Sequence, residues 1–110
     1  LHDALPISFD TGSANLSAAG QSALDGMVAC LSKKGASIVG HTDSVGNSAN
    51  NQRLSENRAK AVVAYLQSKG VMADKLTAKG MGDKEPIADN KTAQGRASNR
   101  RMDIQINPAK

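Results

Sequence analysis

The chain has 110 residues, with Phe9 and Tyr65 as its only aromatics and no Trp, so it builds one domain around one aliphatic core with little to spare. Its net charge of +4 comes without the Lys/Arg block of a nucleic-acid arm, and no run of about 18 apolar residues is present to form a membrane-spanning helix. Cys30 is the only cysteine, which excludes an internal disulfide and a cysteine-built zinc site.

In chain order, Leu1 to Pro6 reads as no particular element. Pro6-Ile7-Ser8-Phe9 is a short strand candidate, closed by the turn-rich Asp10-Thr11-Gly12-Ser13. From about Ser17 to Lys34 the pattern is helical, because Leu24, Met27, Val28 and Leu31 recur at i, i+3, i+4 and i+7. Cys30 is read with this stripe as a buried, unreactive thiol. Gly35 stops the helix after Lys33 and Lys34, which suit the negative end of its dipole. Ala36 to Thr42 reads as a mostly buried strand.

Ser44 to Asn51 is polar and turn-prone. A second helix starts between Asn51 and Ser55 and ends at Gly70, with Leu54, Ala61, Val62, Tyr65 and Leu66 as its apolar stripe. Lys75 to Lys79 is a third strand, and Gly80 to Pro86 an extended loop. A short helix is expected around Thr92 to Ser98. Met102, Ile104 and Ile106 alternate with Asp103 and Gln105 as a half-buried strand. The order β-α-β-α-β-(α)-β predicts an α+β fold, an α/β two-layer sandwich whose mixed sheet carries its helices on one face.

Arg58 is the anomaly of the second helix. It lies four residues after Leu54 and four before Val62, inside the apolar stripe, where a guanidinium must snorkel, pair with a carboxylate or point into a pocket. Asp43, at the end of the second strand in Gly40-His41-Thr42-Asp43, is its nearest partner. The two charges either form a plain salt bridge or hold a small zwitterion between them.

Other constellations are weaker. His41 has no third ligand at a suitable spacing for a metal, and strand alternation turns it away from Thr42. Ser55, His41 and Asp43 lack any oxyanion motif, and Ser55 is read instead as part of a first helical turn, so catalysis is not expected. Gly80-x-Gly82 is too short for a nucleotide fingerprint. Arg96, Arg100 and Arg101 form a solvated cluster without stacking aromatics, which leaves nucleic-acid binding only as a rival permitted by composition.

Gly40-His41-Thr42-Asp43, the Gly46 loop, Asn51, Leu54-Ser55-x-x-Arg58-Ala59, Pro86-Ile87-Ala88-Asp89-Asn90 and Gly95-Arg96-Ala97-x-Asn99-Arg100-Arg101 together resemble the OmpA-like peptidoglycan-binding domain. The resemblance runs from about Phe9 to Ile106. It divides the chain into a linker over 1–8 that includes the start of the first strand, the domain over 9–107, and a tail over 108–110. It implies a non-enzymatic site, without cofactor or metal, that grips the free end of meso-diaminopimelate in the peptide stems of peptidoglycan.

On that resemblance Asp43 would accept from the ligand ammonium and Arg58 would hold its carboxylate with a two-pronged contact. Asn51 would add a neutral polar contact, and Thr42, Leu54 and Ala97 would help line the pocket. Arg100 would approach from the short C-terminal helix, and the Thr11-Gly12 turn would contribute backbone groups. Asn50 and Met81 stand where the family often has aromatics. The implied setting is the periplasmic face of a Gram-negative outer membrane, with the wall as partner and anchoring supplied by regions outside this sequence. An envelope protein using the same charged mouth is the alternative partner.

Overall fold

The structure, a computed structural model, describes the backbone of residues 2–5 together with residues 16 and 18–107. Four strands, β1 (His2–Leu5), β2 (Ala36–His41), β3 (Leu76–Gly82) and β4 (Met102–Ile106), form one sheet in the order β1-β4-β2-β3. β4 runs antiparallel to both β1 and β2, while β2 and β3 are parallel. The helices are α1 (Ala18–Asp25), α2 (Val28–Lys34), α3 (Ser48–Ser68) and α4 (Ala93–Asn99), and a short 3-10 turn spans Ala73–Lys75. The mixed sheet of the α+β expectation is thus what forms.

α3 is the long β2-to-β3 crossover, and it packs on both of those strands. Leu24, Leu31, Ile38, Val62, Leu66, Met102 and Ile104 are fully buried between helices and sheet, each worth roughly 1.5–3 kcal/mol relative to exposure. One close approach governs the geometry. Gly40 and Gly80 are register partners on β2 and β3, and both face Ser55 of α3. A Cβ at Gly40 would run into the Ser55 carbonyl, and one at Gly80 into the Ser55 hydroxyl and the Glu56 amide. With no side chains there, Ser55 Oγ accepts from Gly82 N at 2.8 Å and donates to the Gln52 carbonyl at 2.7 Å. The helix therefore lies directly on the C-terminal ends of β2 and β3.

Several local expectations change. The first described strand is His2–Leu5, a stretch assigned no element from sequence, and the candidate strand at Pro6–Phe9 lies outside the described residues. The single helix expected over 17–34 is two helices, broken at Gly26 and Met27, where Met27 N bonds the Leu24 carbonyl at 2.9 Å. With α2 restarting at Val28, Leu31 takes the inward position. Cys30, about 100° away around the helix, is exposed rather than buried.

α3 begins at Ser48, earlier than expected, because Asn47 caps it by accepting from Asn50 N at 3.1 Å. Ser55 consequently sits two turns inside the helix rather than in its first turn. Gly80 to Gly82, read as loop, belong to β3 because β2 pairs with them.

Candidate functional site

The candidate cleft opens where β2 ends and α3 begins. It encloses about 330 Å³ and is lined by Thr42, Asp43, Val45 and Gly46 from the β2–α3 connection, Asn50, Asn51, Leu54 and Arg58 from α3, and Arg100 after α4. Asp43 is only 3 % exposed. Its Oδ1 accepts from Val45 N at 3.0 Å, and its Oδ2 receives Arg100 NH1 at 2.6 Å, a charge-assisted contact at the short end of its range.

Arg58 is more deeply placed still, at 1 % exposure. Side chains on a helix tilt toward its N-terminus, so an arginine one turn past Ser55 reaches back to the end of β2. There its NH1 donates to the His41 carbonyl at 3.5 Å. Burial, and next the neighbouring Arg100 charge, push its pKa down to about 10, while Asp43 works the other way. A guanidinium remains charged at neutral pH under that shift, but it is held in a place that disfavours its charge.

Asn51 ties the loop together, its Nδ2 donating to the Val45 carbonyl at 3.0 Å and, more distantly, to the Asp43 carbonyl and Asp83 Oδ2, both at 3.4 Å. Thr42 is buried, and its hydroxyl donates to the Asp43 carbonyl at 2.8 Å. Asn99, the last residue of α4, is fully buried. Its Oδ1 accepts from Ile87 N and Ala88 N at 2.7 and 3.0 Å, and its Nδ2 donates to the Ala88 carbonyl and Asn90 Oδ1 at 2.9 and 2.7 Å. The side chain of Asn99 thereby ties the 87–90 segment to the end of α4, and Arg100 follows directly from it.

The OmpA family model matches residues 8–100. The chain belongs to the OmpA family. It is 40 % identical over 105 residues to the probable lipoprotein YiaD of Escherichia coli K12, a match covering 93 % of this chain and 48 % of that protein. It is 54 % identical over 68 residues to outer membrane protein A of Bordetella avium, covering 62 % of this chain and 35 % of that one. The chain thus spans half or less of the length of these curated relatives.

Among solved structures, the peptidoglycan-associated lipoprotein from Burkholderia pseudomallei superposes with a TM-score of 0.86 at 29 % identity, over 91 % of this chain and 87 % of that one. The cell wall anchor of the T6SS from Pseudomonas aeruginosa does so at 0.75 and 31 % identity, over 93 % of this chain and 76 % of that one. Such OmpA relatives are structural and binding proteins rather than enzymes, in line with the reading against catalysis.

Of the residues singled out from sequence, this OmpA-family fold gathers Asp43, Arg58, Asn51, Thr42, Leu54 and Arg100 around one cleft. Ala97 is exposed on α4 and does not line it, because the α4 residues that turn inward are Gly95 and Asn99. Thr11 and Gly12 lie outside the described residues. His41 faces away, with Nε2 donating to Asp103 Oδ2 at 3.0 Å, so it does not join Asp43 and Ser55 in a triad. Among the described residues, no group of three or more His, Cys, Asp or Glu could hold a metal.

Two features were missed from sequence. The Asp43–Arg100 ion pair spans 57 residues of chain, a separation that periodicity does not register. Val45 and Gly46 join the lining from the β2–α3 loop, and Asn50 does so because the helix starts at Ser48. The Asn47 cap, three residues before Asn50, was the available signal.

Proposed function

We propose that this domain binds peptidoglycan without turnover, holding the meso-diaminopimelate end of a peptide stem in the Asp43–Arg58–Arg100 cleft. In the whole protein this would tether the outer membrane, or an envelope complex at its periplasmic face, to the wall. The observation that carries the reading is the burial of an acid and a base of opposite charge in the same small cleft, with a third, more accessible charge at its rim. A plain structural salt bridge needs neither the cleft nor the third charge.

The chemistry of the residues fits a zwitterionic amino-acid end. Among the described residues Asp43 uses one acceptor position of each oxygen, and a carboxylate offers about four, so a ligand ammonium can bond it beside Arg100. The ligand carboxylate would then take the guanidiniums of Arg58 and Arg100, whose planar forks match it. Arg100 has a side chain 20 % exposed against 4 % for Asp43, so a ligand carboxylate at the rim can reach its guanidinium while it stays on Asp43. Without ligand, Arg100 keeps the buried Asp43 charge compensated. With ligand, the ammonium takes over part of that role.

A lysine-type stem lacks the extra carboxylate, so it would displace water from the two guanidiniums and return no bond to them. Discrimination follows from that lost pairing. One stem should bind modestly, and many stems on one wall should supply the tight attachment. The lipoprotein from Burkholderia pseudomallei, named as peptidoglycan-associated, and the cell wall anchor from Pseudomonas aeruginosa support the same class of partner.

The test is co-sedimentation with purified sacculi of the diaminopimelate and lysine types. The reading expects retention on the first alone, lost in D43A, and only a shallow dependence on salt. Equal retention on both wall types, indifferent to D43A and abolished by moderate salt, would instead mark a diffuse basic surface.

A further inference from the structure

Arg100 and Arg101 are adjacent, yet they serve opposite sides of the sheet. Gly40 faces α3 and His41 therefore faces away from it, as does Asp103, the register partner of Val39 on β4. Arg101 enters that far side and is 8 % exposed. Its Nε donates to Asp103 Oδ1 at 3.1 Å, its NH2 to Asp103 Oδ2 at 3.4 Å, and its NH1 to the Glu85 carbonyl at 3.0 Å. The Arg101 carbonyl accepts from His41 N at 2.9 Å, and His41 Nε2 closes the circuit on Asp103 at 3.0 Å.

This buried network joins the two backbone segments that carry the charges of the cleft. His41 stands two residues before Asp43, and Arg101 follows Arg100 directly. None of its side chains lines the cleft, so any effect on binding must pass through the backbone. A guanidinium fork bonded to both oxygens of one carboxylate fixes orientation as well as distance, and lysine, a point charge on a flexible stem, does not.

We propose that Arg101 is a positioning residue for the cleft: its clamp on Asp103 and the Glu85 carbonyl holds Arg100 at Asp43. The inference rests on the cleft being the binding site, but its first readout does not. In 15N NMR of the arginine side chains, assigned with R100A, the Arg100 guanidinium should show restricted rotation in the unaltered domain. It should become freely rotating in R101K, which keeps the charge and loses the fork.

The second readout is a double-mutant cycle with a meso-diaminopimelate muropeptide as probe. R101K should raise Kd about 10-fold in the native background and less than about 2-fold when Arg100 is already Ala, since a residue acting through Arg100 has nothing left to position. Should R101K fail to fold, D103N removes the clamped charge with the arginine intact and carries the same comparisons. A folded R101K or D103N with unchanged Arg100 rotation, or with equal losses in both backgrounds, would overturn the proposal. If the unaltered domain does not bind the muropeptide, the ligand reading fails while the rotation measurement still decides the role of Arg101.

Discussion

Replacing Arg58 with methionine separates a binding residue from a structural one. Arg58 is essentially fully buried, and its pKa is pushed down to about 10, chiefly through loss of hydration and then through Arg100. A displacement of that size means that the folded environment disfavours the charged form by about 3 kcal/mol relative to water, at 1.36 kcal/mol per pKa unit. A methionine fills much the same volume without that charge, and the change leaves no orphan on Asp43, which keeps Arg100 and the Val45 amide. The guanidinium's bond to the His41 carbonyl and its other contacts are lost at the same time, so R58M should stay within about 1 kcal/mol of the native domain. Urea denaturation at pH 7 reads this directly, and the thermal midpoint should stay within roughly 4–8 °C of the native one, the shift that about 1 kcal/mol makes in a domain near this size. The same variant should lose muropeptide binding. If R58M is instead destabilised by more than about 1 kcal/mol with an unchanged m-value, Arg58 is a structural ion-pair partner and the reasoning from its burial is wrong.

Other outcomes follow from the same geometry. His41 has its pKa lowered from 6.5, by burial first and by Arg101 second, with Asp103 opposing, and its Nδ1 has no hydrogen-bond partner to receive a second proton's N–H. Below pH 6.5 the unfolded chain therefore takes up a proton that the folded one resists. Stability should be full above that pH and fall as the pH drops toward the lowered folded value. Denaturation from pH 7.5 to 5 should show the native domain losing stability relative to H41Q, and parallel curves would remove His41 as the cause. G40A should cost about 3 kcal/mol or more, since the new methyl meets the backbone carbonyl of Ser55 rather than a movable side chain; a midpoint within 2 °C of the native one, by about the same size scaling, would show that α3 can lift. N99A strips the acceptor from the Ile87 and Ala88 amides and should cost about 1–3 kcal/mol, with faster hydrogen exchange at those two amides as the specific sign.

Much of this domain was legible in its sequence because the responsible forces are local. The alternation of Met102, Ile104 and Ile106 placed β4, and the Leu54-to-Leu66 spacing placed the body of α3. An arginine inside that stripe, read against a carboxylate at a strand end, located the cleft. Cys30 is exposed because it stands about 100° around the helix from the buried Leu31, an offset the stripe already implied. What else escaped was set by tertiary contact. Gly80 to Gly82 became strand because β2 was there to pair with them. The partner of Asp43 on the C-terminal side depends on how Asn99 and Arg101 fix the α4–β4 junction, through contacts far apart in the chain. The adjacent arginines read alike in sequence, and only the sheet between them shows that they face different neighbours.

The central claim is that the cleft recognises a free amino-acid end carrying both charges. Calorimetric titration of the folded domain with a meso-diaminopimelate muropeptide and with its lysine-type analogue tests it most directly. The account predicts measurable heat and saturable binding with the first, none with the second, and none with either once Arg58 is replaced in a domain that still unfolds cooperatively. Equal binding of both ligands, or binding that survives the loss of Arg58, would contradict it.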